Sequence, residues 1–213
     1  MTDGSVFIGM LPFLEEDALF LRYNPTLTLD DPANVPFRDT PLRILRCPSM
    51  KPPEPPTAAW DSYAACTGNV YEHFTNANDP NFDNGAIVNP IVHNALAKTS
   101  VREISNQDGT SKTFAAGELN FGLKNFPAGF GQAGPSSWSS GYPCTAKASM
   151  AGVFNSDRLI TGFWEWDTFR SDHPGGANFT FVDGSVRFFA ETTNPDLLKS
   201  LAARNDGGPT KSF

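Results

Sequence analysis

The side chains best suited to chemistry lie around His173, in the stretch RSDHPGGANFTFVDGSVRFFA near the C-terminus. An imidazole can act as a general base, and Ser171 with Asp172 or Asp183 would supply a nucleophile and an orienting carboxylate. Neighbours in sequence rarely reach the geometry of a catalytic triad, and the sequence contains no G-x-S-x-G, H-E-x-x-H or C-x-x-C motif. We therefore expect no enzymatic activity and rank a hydrolase built on His173 third among the possible functions.

His173 could also bind a metal ion. Carboxylates such as Glu118 or Asp183 would then have to converge on its ring, and no spacing in the sequence requires that. The interpretation we favour is structural, with the imidazole hydrogen-bonded to backbone or carboxylate groups at the start of a hairpin. Turn geometry likewise explains Asp183 and Gly184 better than catalysis does.

A loop rich in Asn and Asp, FTNANDPNFDNG at 74–85, offers a second set of possible ligands. Asp79, Asn81 and Asp83 alternate as the oxygen ligands of a calcium loop do, but the glycine arrives one residue late and Pro90 stands where the glutamate is required. The loop is therefore not an EF-hand. A solvated loop is favoured, a looser calcium site remains open, and no other cofactor is expected.

Tryptophans form the third group of candidate residues. Trp138 lies in a polar stretch, and Trp164 and Trp166 belong to a short aromatic cluster. Exposed aromatic faces can bind sugars or partner proteins, whereas buried ones pack the core. Core packing is favoured because aromatic side chains dominate cores and the chain has 18 Phe.

The sequence contains three cysteines. This odd count suggests one disulfide and one free thiol if the compartment is oxidising, and Cys47 and Cys66, which flank the proline-rich stretch at 51–57, are the candidate pair. Three buried thiols are the alternative.

The elements that position His173 form a β-hairpin. Runs at 177–182 and 185–190 are rich in aromatic and β-branched residues, and the intervening Asp183-Gly184 favours a two-residue I′ turn. Alternation places Phe179 and Phe181 on one face, and Val186 and Phe188 on the core face of the second strand. The motif residues are His173, Pro174, Gly175, Gly176, Asp183 and Gly184.

Elsewhere the patterns predict short elements in one α+β domain spanning 1–213. We expect strands at 5–9, 42–47, 61–70 and 113–116, a helix from Pro12 whose core stripe includes Leu11 and Leu21, and a helix from Asn194-Pro195 to Ala203. The segments at 51–57 and 120–149 are predicted to be a Pro-rich and a Gly/Ser-rich loop. The sheet is expected to be short and antiparallel.

Charge and hydropathy exclude some partners. The net charge is −7 and no Lys/Arg cluster occurs, so nucleic acid is not an expected partner. No apolar run reaches the roughly 20 residues that span a bilayer, so no membrane span is expected in this chain.

Nine residues separate His173 from Asp183-Gly184. With HPGG and FVDGSVRF around it, this spacing resembles the prepilin-type processing-associated H-x(9)-D-G family. LPFLEEDALF, DDPAN, RCPS, VREISNQDGTSKTFAAGE and LLKSLAARNDGG resemble further family blocks in the same order, so the resemblance covers most of the chain. It implies a type IV pilin-like globular domain, without the N-terminal prepilin helix that anchors family members in the membrane.

The resemblance implies an extracytoplasmic protein, in the periplasm or at the cell surface. The function it favours is structural and non-catalytic: a pilin-like or pseudopilin-like domain in a cell-surface filament or a secretion or envelope assembly, with copies of itself or other pilin-like subunits as partners. The alternative is a secreted or cell-surface module that binds glycan or peptide through Trp138, Trp164 and Trp166.

Overall fold

A five-stranded sheet in the order β3-β1-β2-β4-β5 organises the fold. The computed structural model describes residues 4–54, 57–70, 84–88, 99–126, 137–142, 145–162 and 164–207. The strands within these ranges are β1 (Tyr63–Cys66), β2 (Phe114–Glu118), β3 (Lys147–Ala148), β4 (Gly176–Phe181) and β5 (Val186–Ala190). The α-helices are α1 (Val6–Met10), α2 (Asp17–Phe20), α3 (Val35–Arg38), α4 (Val101–Asn106) and α5 (Pro195–Ala202), and 3-10 turns lie at Leu11–Leu14, Arg43–Leu45, Thr110–Lys112 and Trp164–Trp166.

The α+β class, the C-terminal hairpin and the packed helices are confirmed. Strands β1, β2, β4 and β5 pair antiparallel, but β3 runs parallel to β1, so the sheet is mixed rather than purely antiparallel. None of the helices in the described ranges combines the length and apolarity needed to cross a membrane.

The hairpin forms where predicted, but its turn is longer by one residue. The N–H of Phe181 donates to Ser185 O at 2.8 Å, and the N–H of Gly184 donates to Phe181 O at 2.9 Å, so 182–184 form the loop. Gly184 has a φ of 84°, whereas Asp183 has no positive φ. This pattern is typical of a type I turn followed by one left-handed residue, and the predicted I′ turn is wrong.

The longer turn shifts the register by one residue and reverses the faces of β5. Phe179 now pairs with Arg187 rather than with Phe188. Phe189 is therefore buried, while Val186 and Phe188 are 62% and 50% exposed, contrary to prediction. Because side chains alternate along a strand, a one-residue shift moves every side chain to the opposite face.

One hydrophobic core lies between the sheet and α5. Phe114 stacks on Phe179 with ring centroids 4.3 Å apart, and Leu198 and Leu201 of α5 bury their side chains in the same cluster. Asn194 caps α5 by accepting the N–H of Asp196 at 2.8 Å, and the helix begins at Pro195, where the sequence predicted its start.

The first described residues form a helix, not the predicted strand. The Ser5 hydroxyl caps α1 by accepting the N–H of Phe7 at 3.2 Å. The chain then breaks at Glu15, whose φ is 62°, before α2 begins. This break ends the helical periodicity, so the predicted core stripe fails at Leu21, which is 83% exposed, although Leu11 is buried.

A second core packs the N-terminal helices around Trp138. Its indole contacts Phe37 edge to face at 5.2 Å and donates from Nε1 to Thr40 O at 2.8 Å. The segment that leads to Cys47 contains a 3-10 turn at Arg43–Leu45 where a strand was predicted. The N-terminal segment thus reaches the sheet through a tight turn and not by strand pairing.

Candidate functional site

His173, Glu118 and Cys47 converge where the N-terminal segment meets the sheet. The imidazole Nε2 of His173 lies 3.2 Å from Glu118 Oε1 and 3.5 Å from Cys47 Sγ. One potential ligand atom from each of the three residues lies within 4.8 Å of the other two. We name these three residues the Cys-Glu-His cluster.

Glu118 is held at the end of β2. It is 4% exposed, and its Oε2 accepts the backbone N–H of Asn178 at 2.8 Å, while its Oε1 accepts the Asn178 side-chain amide at 3.2 Å. The antiparallel register places Tyr63 of β1 opposite Glu118. A buried carboxylate needs such donors, and here they also orient one oxygen toward His173.

Cys47 follows the Arg43–Leu45 turn and is anchored to the start of β1. Its backbone N–H donates to the Ser62 hydroxyl at 2.9 Å. Burial raises the pKa of Tyr63, and electrostatic interactions with Cys47 and Glu118 raise it further. The phenol therefore lies in the same electrostatic environment as the cluster.

The loop before β4 fixes His173 from its other side. Asp172 accepts the backbone N–H of Lys51 at 2.7 Å and the side-chain amide of Asn120 at 2.6 Å. The Ser171 hydroxyl accepts the backbone N–H of His173 at 3.1 Å. Ser171 and Asp172 therefore shape the loop, and their described contacts do not form the triad considered from sequence.

The remaining motif residues build the hairpin. Gly175 has a φ of 76°, and a Cβ on Gly176 would lie 2.0 Å from Phe189 O. The Asp183 carboxylate accepts the Ser185 hydroxyl at 2.7 Å and the Ser185 N–H at 2.9 Å, and these bonds lower the pKa of Asp183. Asp183 thus stabilises the turn, as its sequence context suggested.

The geometry of the cluster suits ligand binding better than proton relay. In a thiol-imidazole-carboxylate triad the two ring nitrogens of His contact the nucleophile and the carboxylate separately. Here both neighbours of His173 lie against the same atom, Nε2. The three potential ligand atoms therefore lie within 4.8 Å of one another without the separate contacts of a triad.

The predicted Cys47–Cys66 disulfide does not form. Both cysteines are free and buried, and the Cys66 thiol donates to Ala202 O at 3.7 Å in the core beneath α5. Burial raises the pKa of Cys66 to about 12. Cys47 Sγ instead lies 3.5 Å from His173 Nε2.

The sequence favours core packing over an exposed aromatic platform, and among the three candidate tryptophans only Trp164 is an exposed large hydrophobic side chain. Trp138 is fully buried, and Trp166 packs between Phe126 and Tyr142 at centroid distances of 6.0 and 5.9 Å. Trp164 is 47% exposed and lines a cleft of about 210 Å³ between 150–154 and α5. The calcium candidates Asp79, Asn81 and Asp83, and also Cys144, lie outside the described residues.

Sequence reasoning named Glu118 as a condition for metal binding but missed Cys47 as its partner. His173 and Cys47 are 126 positions apart, so no local spacing links them. Two other buried charged residues, Arg170 and Glu165, were also missed. Arg170 donates to Glu165 O, and the Glu165 carboxylate accepts the backbone N–H of Val153. Both residues therefore stabilise the chain that leads to His173.

Asp61 is a further buried titratable group, next to β1. Burial raises the pKa of Asp61 well above its ordinary value, and its own backbone N–H and the Arg46 charge offset only part of the effect. Neither carboxylate oxygen has a well-formed hydrogen bond to the described residues. At a pH between the unfolded and folded pKa values, the folded protein therefore holds a proton on Asp61 that the unfolded chain loses.

Replacing Asp61 with asparagine is expected to stabilise the protein at neutral pH. Because the folded pKa is raised, native stability should fall as pH rises from the ordinary carboxyl pKa toward the folded value, and Asp61→Asn should remove that loss. Urea unfolding of both proteins between about pH 4 and 8 would measure this, since each unit of pKa shift corresponds to about 1.4 kcal/mol. Identical pH dependence would contradict the assignment.

One protein family covers most of the chain. A family model described as "Protein of unknown function (DUF1559)" matches residues 2–196, which include the whole sheet and the Cys-Glu-His cluster. No curated protein matches the chain, and no solved structure does.

Proposed function

We propose a function from the premise that this chain belongs to the DUF1559 family of proteins of unknown function. The chain is the structural, non-catalytic globular domain of a pilin-like or pseudopilin-like protein. The domain takes part in a cell-surface filament or in a secretion or envelope assembly outside the cytoplasm. Its partners are copies of itself or other pilin-like subunits. The H-x(9)-D-G resemblance supports the proposal, since the motif glycines and Asp183 shape a hairpin.

An apolar surface on the N-terminal helices carries the proposal. Phe13 and Leu21 are 86% and 83% exposed, and Met10 and Phe20 are 39% and 38% exposed. All four lie between residues 10 and 21, and we take them together as a candidate interaction surface. We name these four residues the N-terminal apolar surface.

The position of this surface fits the family that the sequence resembles. In that family the anchoring helix precedes the globular domain, so the first helices of the domain lie beside the helical bundle of an assembly. Phe7, Ile8 and Leu11 are buried side chains of the same stretch and belong to the core cluster that contains Trp138, so this stretch is anchored to the domain. A surface anchored in this way loses little conformational entropy on docking.

Charged substitutions on this surface are expected to disrupt assembly. Phe13→Glu or Leu21→Glu in the full-length protein should reduce cross-linked multimers in the source cells at least tenfold, which corresponds to about 1.4 kcal/mol. The reason is that a carboxylate buried in an apolar interface must be desolvated without a partner. Ile44→Glu is the matched control, because Ile44 is 58% exposed but lies outside the surface.

Three outcomes decide the proposal. Loss of multimers with both surface variants and their retention with Ile44→Glu would support it. Unchanged multimers with the surface variants would contradict it. A monomeric native protein would also contradict it and would favour the second candidate function.

That second candidate is a secreted or cell-surface module for glycan or peptide. One observation favours it: Trp164 is half exposed in a cleft that Glu191 and Lys199 also line. An aromatic face beside charged groups can hold a sugar ring or a peptide side chain. Binding of the protein to a glycan or peptide array, if Trp164→Ala abolishes it, would support this function over assembly.

A further inference from the structure

We propose that Cys47, Glu118 and His173 bind one zinc ion. Typical zinc–ligand bonds in a tetrahedral site place sulfur and nitrogen about 3.6 Å apart, and nitrogen and oxygen about 3.4 Å apart. The corresponding distances are 3.5 Å from Cys47 Sγ to His173 Nε2 and 3.2 Å from His173 Nε2 to Glu118 Oε1. Two of the three edges therefore already have the spacing of ligands around one ion, and the third, from Cys47 Sγ to Glu118, is no longer than 4.8 Å.

The donor set selects zinc. Calcium and magnesium take oxygen ligands, whereas a thiolate, an imidazole and a carboxylate together suit Zn²⁺. Binding displaces the Cys47 thiol proton to solvent, and the Nε2 lone pair of His173 faces the ion once its proton moves to Nδ1. The short contacts to Nε2 in the Cys-Glu-His cluster become two edges of the coordination polyhedron.

Neighbouring groups hold each ligand in place. Asn178 donates twice to the Glu118 carboxylate, at 2.8 and 3.2 Å, and Ser62 accepts the Cys47 N–H at 2.9 Å. Such contacts orient metal ligands and reduce the cost of assembling the site. The side chain of Glu118 is 6% exposed and that of His173 29%, so water can reach the ion on the imidazole side and complete its coordination.

The ion would join three separate segments of the chain. Cys47 follows the N-terminal helices, Glu118 ends β2 and His173 precedes β4. A ligand that binds only the folded state stabilises it, so zinc would tie the N-terminal core to the sheet. The inference does not depend on the proposed assembly role, since a monomer could bind the ion equally well.

Zinc titration of the reduced native protein tests the proposal. We expect one equivalent to bind with a Kd below about 1 μM, and the thermal midpoint to rise with zinc and fall with chelator. Cys47→Ser and Glu118→Gln should weaken binding on the order of 100-fold or more. Cys66→Ala is the control: it removes a buried thiol outside the cluster and should keep the native affinity.

Two further measurements keep the test decisive if a variant folds poorly. Cobalt bound to the native protein should show a thiolate charge-transfer band, and zinc should protect Cys47, mapped by mass spectrometry, from alkylation. No stoichiometric binding, no thiolate band, or native affinity in both cluster variants would each overturn the proposal. Protection of Cys47 with a band that Cys66→Ala retains would establish it.

Discussion

Gly176→Ala is expected to destabilise the protein by at least about 3 kcal/mol, at or above the upper end of overpacking penalties. A Cβ at this position would lie 2.0 Å from Phe189 O and 2.8 Å from Phe188 Cζ. The backbone oxygen cannot move aside, because Gly176 pairs with Ala190 in the β4–β5 ladder. The substitution should therefore separate the strands at the end where His173 enters the sheet, and urea unfolding would measure the loss.

Gly175→Ala is the matched control for this prediction. Gly175 has a φ of 76° and no atom within 4 Å of a built Cβ, so alanine there costs only the left-handed conformation, about 1–2 kcal/mol. The two substitutions should thus differ in cost, because alanine at Gly176 collides with β5 whereas alanine at Gly175 only adopts an unfavourable φ. Equal destabilisation by the two substitutions would refute the close approach of Gly176 to β5.

Arg170→Met is expected to cost about 3–5 kcal/mol, because several buried carbonyls each lose a donor at about 1–3 kcal/mol. Arg170 is 2% exposed, and its guanidinium donates to Asn120 O at 3.0 Å, Glu165 O at 2.8 Å and Thr168 O at 3.1 Å. Methionine fills similar space but donates nothing, so these buried carbonyls lose their partner. Chemical denaturation monitored by tryptophan fluorescence would measure the change.

Two variants give this prediction its controls. Arg158→Met removes an arginine whose side chain is 62% exposed and which pairs with Asp157, and it should change stability by less than about 0.5 kcal/mol. Arg170→Lys keeps the charge but not the planar fork, so it should recover only part of the loss. A cost below 1 kcal/mol for Arg170→Met, within the usual range of a single hydrogen bond, would contradict the role of Arg170.

The Arg170 network also concerns the Cys-Glu-His cluster. The backbone N–H of Arg170 donates to Glu118 O at 3.1 Å, two residues after the Thr168 carbonyl that its guanidinium binds. Loosening this loop would therefore move Glu118 and His173 relative to each other. Arg170 is the first residue of the motif stretch, and the sequence pattern predicts no role for it.

Local patterns in the sequence determined several elements correctly. β1, β2 and α5 form close to where they were expected, and Asn194 caps α5. The hairpin lies at the expected place because its aromatic runs and its glycine act over a few residues. The α+β class follows from these same short-range signals, which need no knowledge of distant contacts.

Only the tertiary structure decided two kinds of feature. One is contact between segments that are distant in sequence, and the other is the pairing register of β4 and β5, which changes with a single residue. The hairpin loop has three residues, 182–184, instead of the expected two, and the resulting register exposes Val186 and Phe188. No composition rule distinguishes the three-residue turn from the two-residue turn. A cap at Ser5 and packing on Trp138 made a helix of an ambiguous short apolar run. Cys47 and His173 meet only because the N-terminal core docks on the sheet, and convergence across 126 positions leaves no signal in spacing.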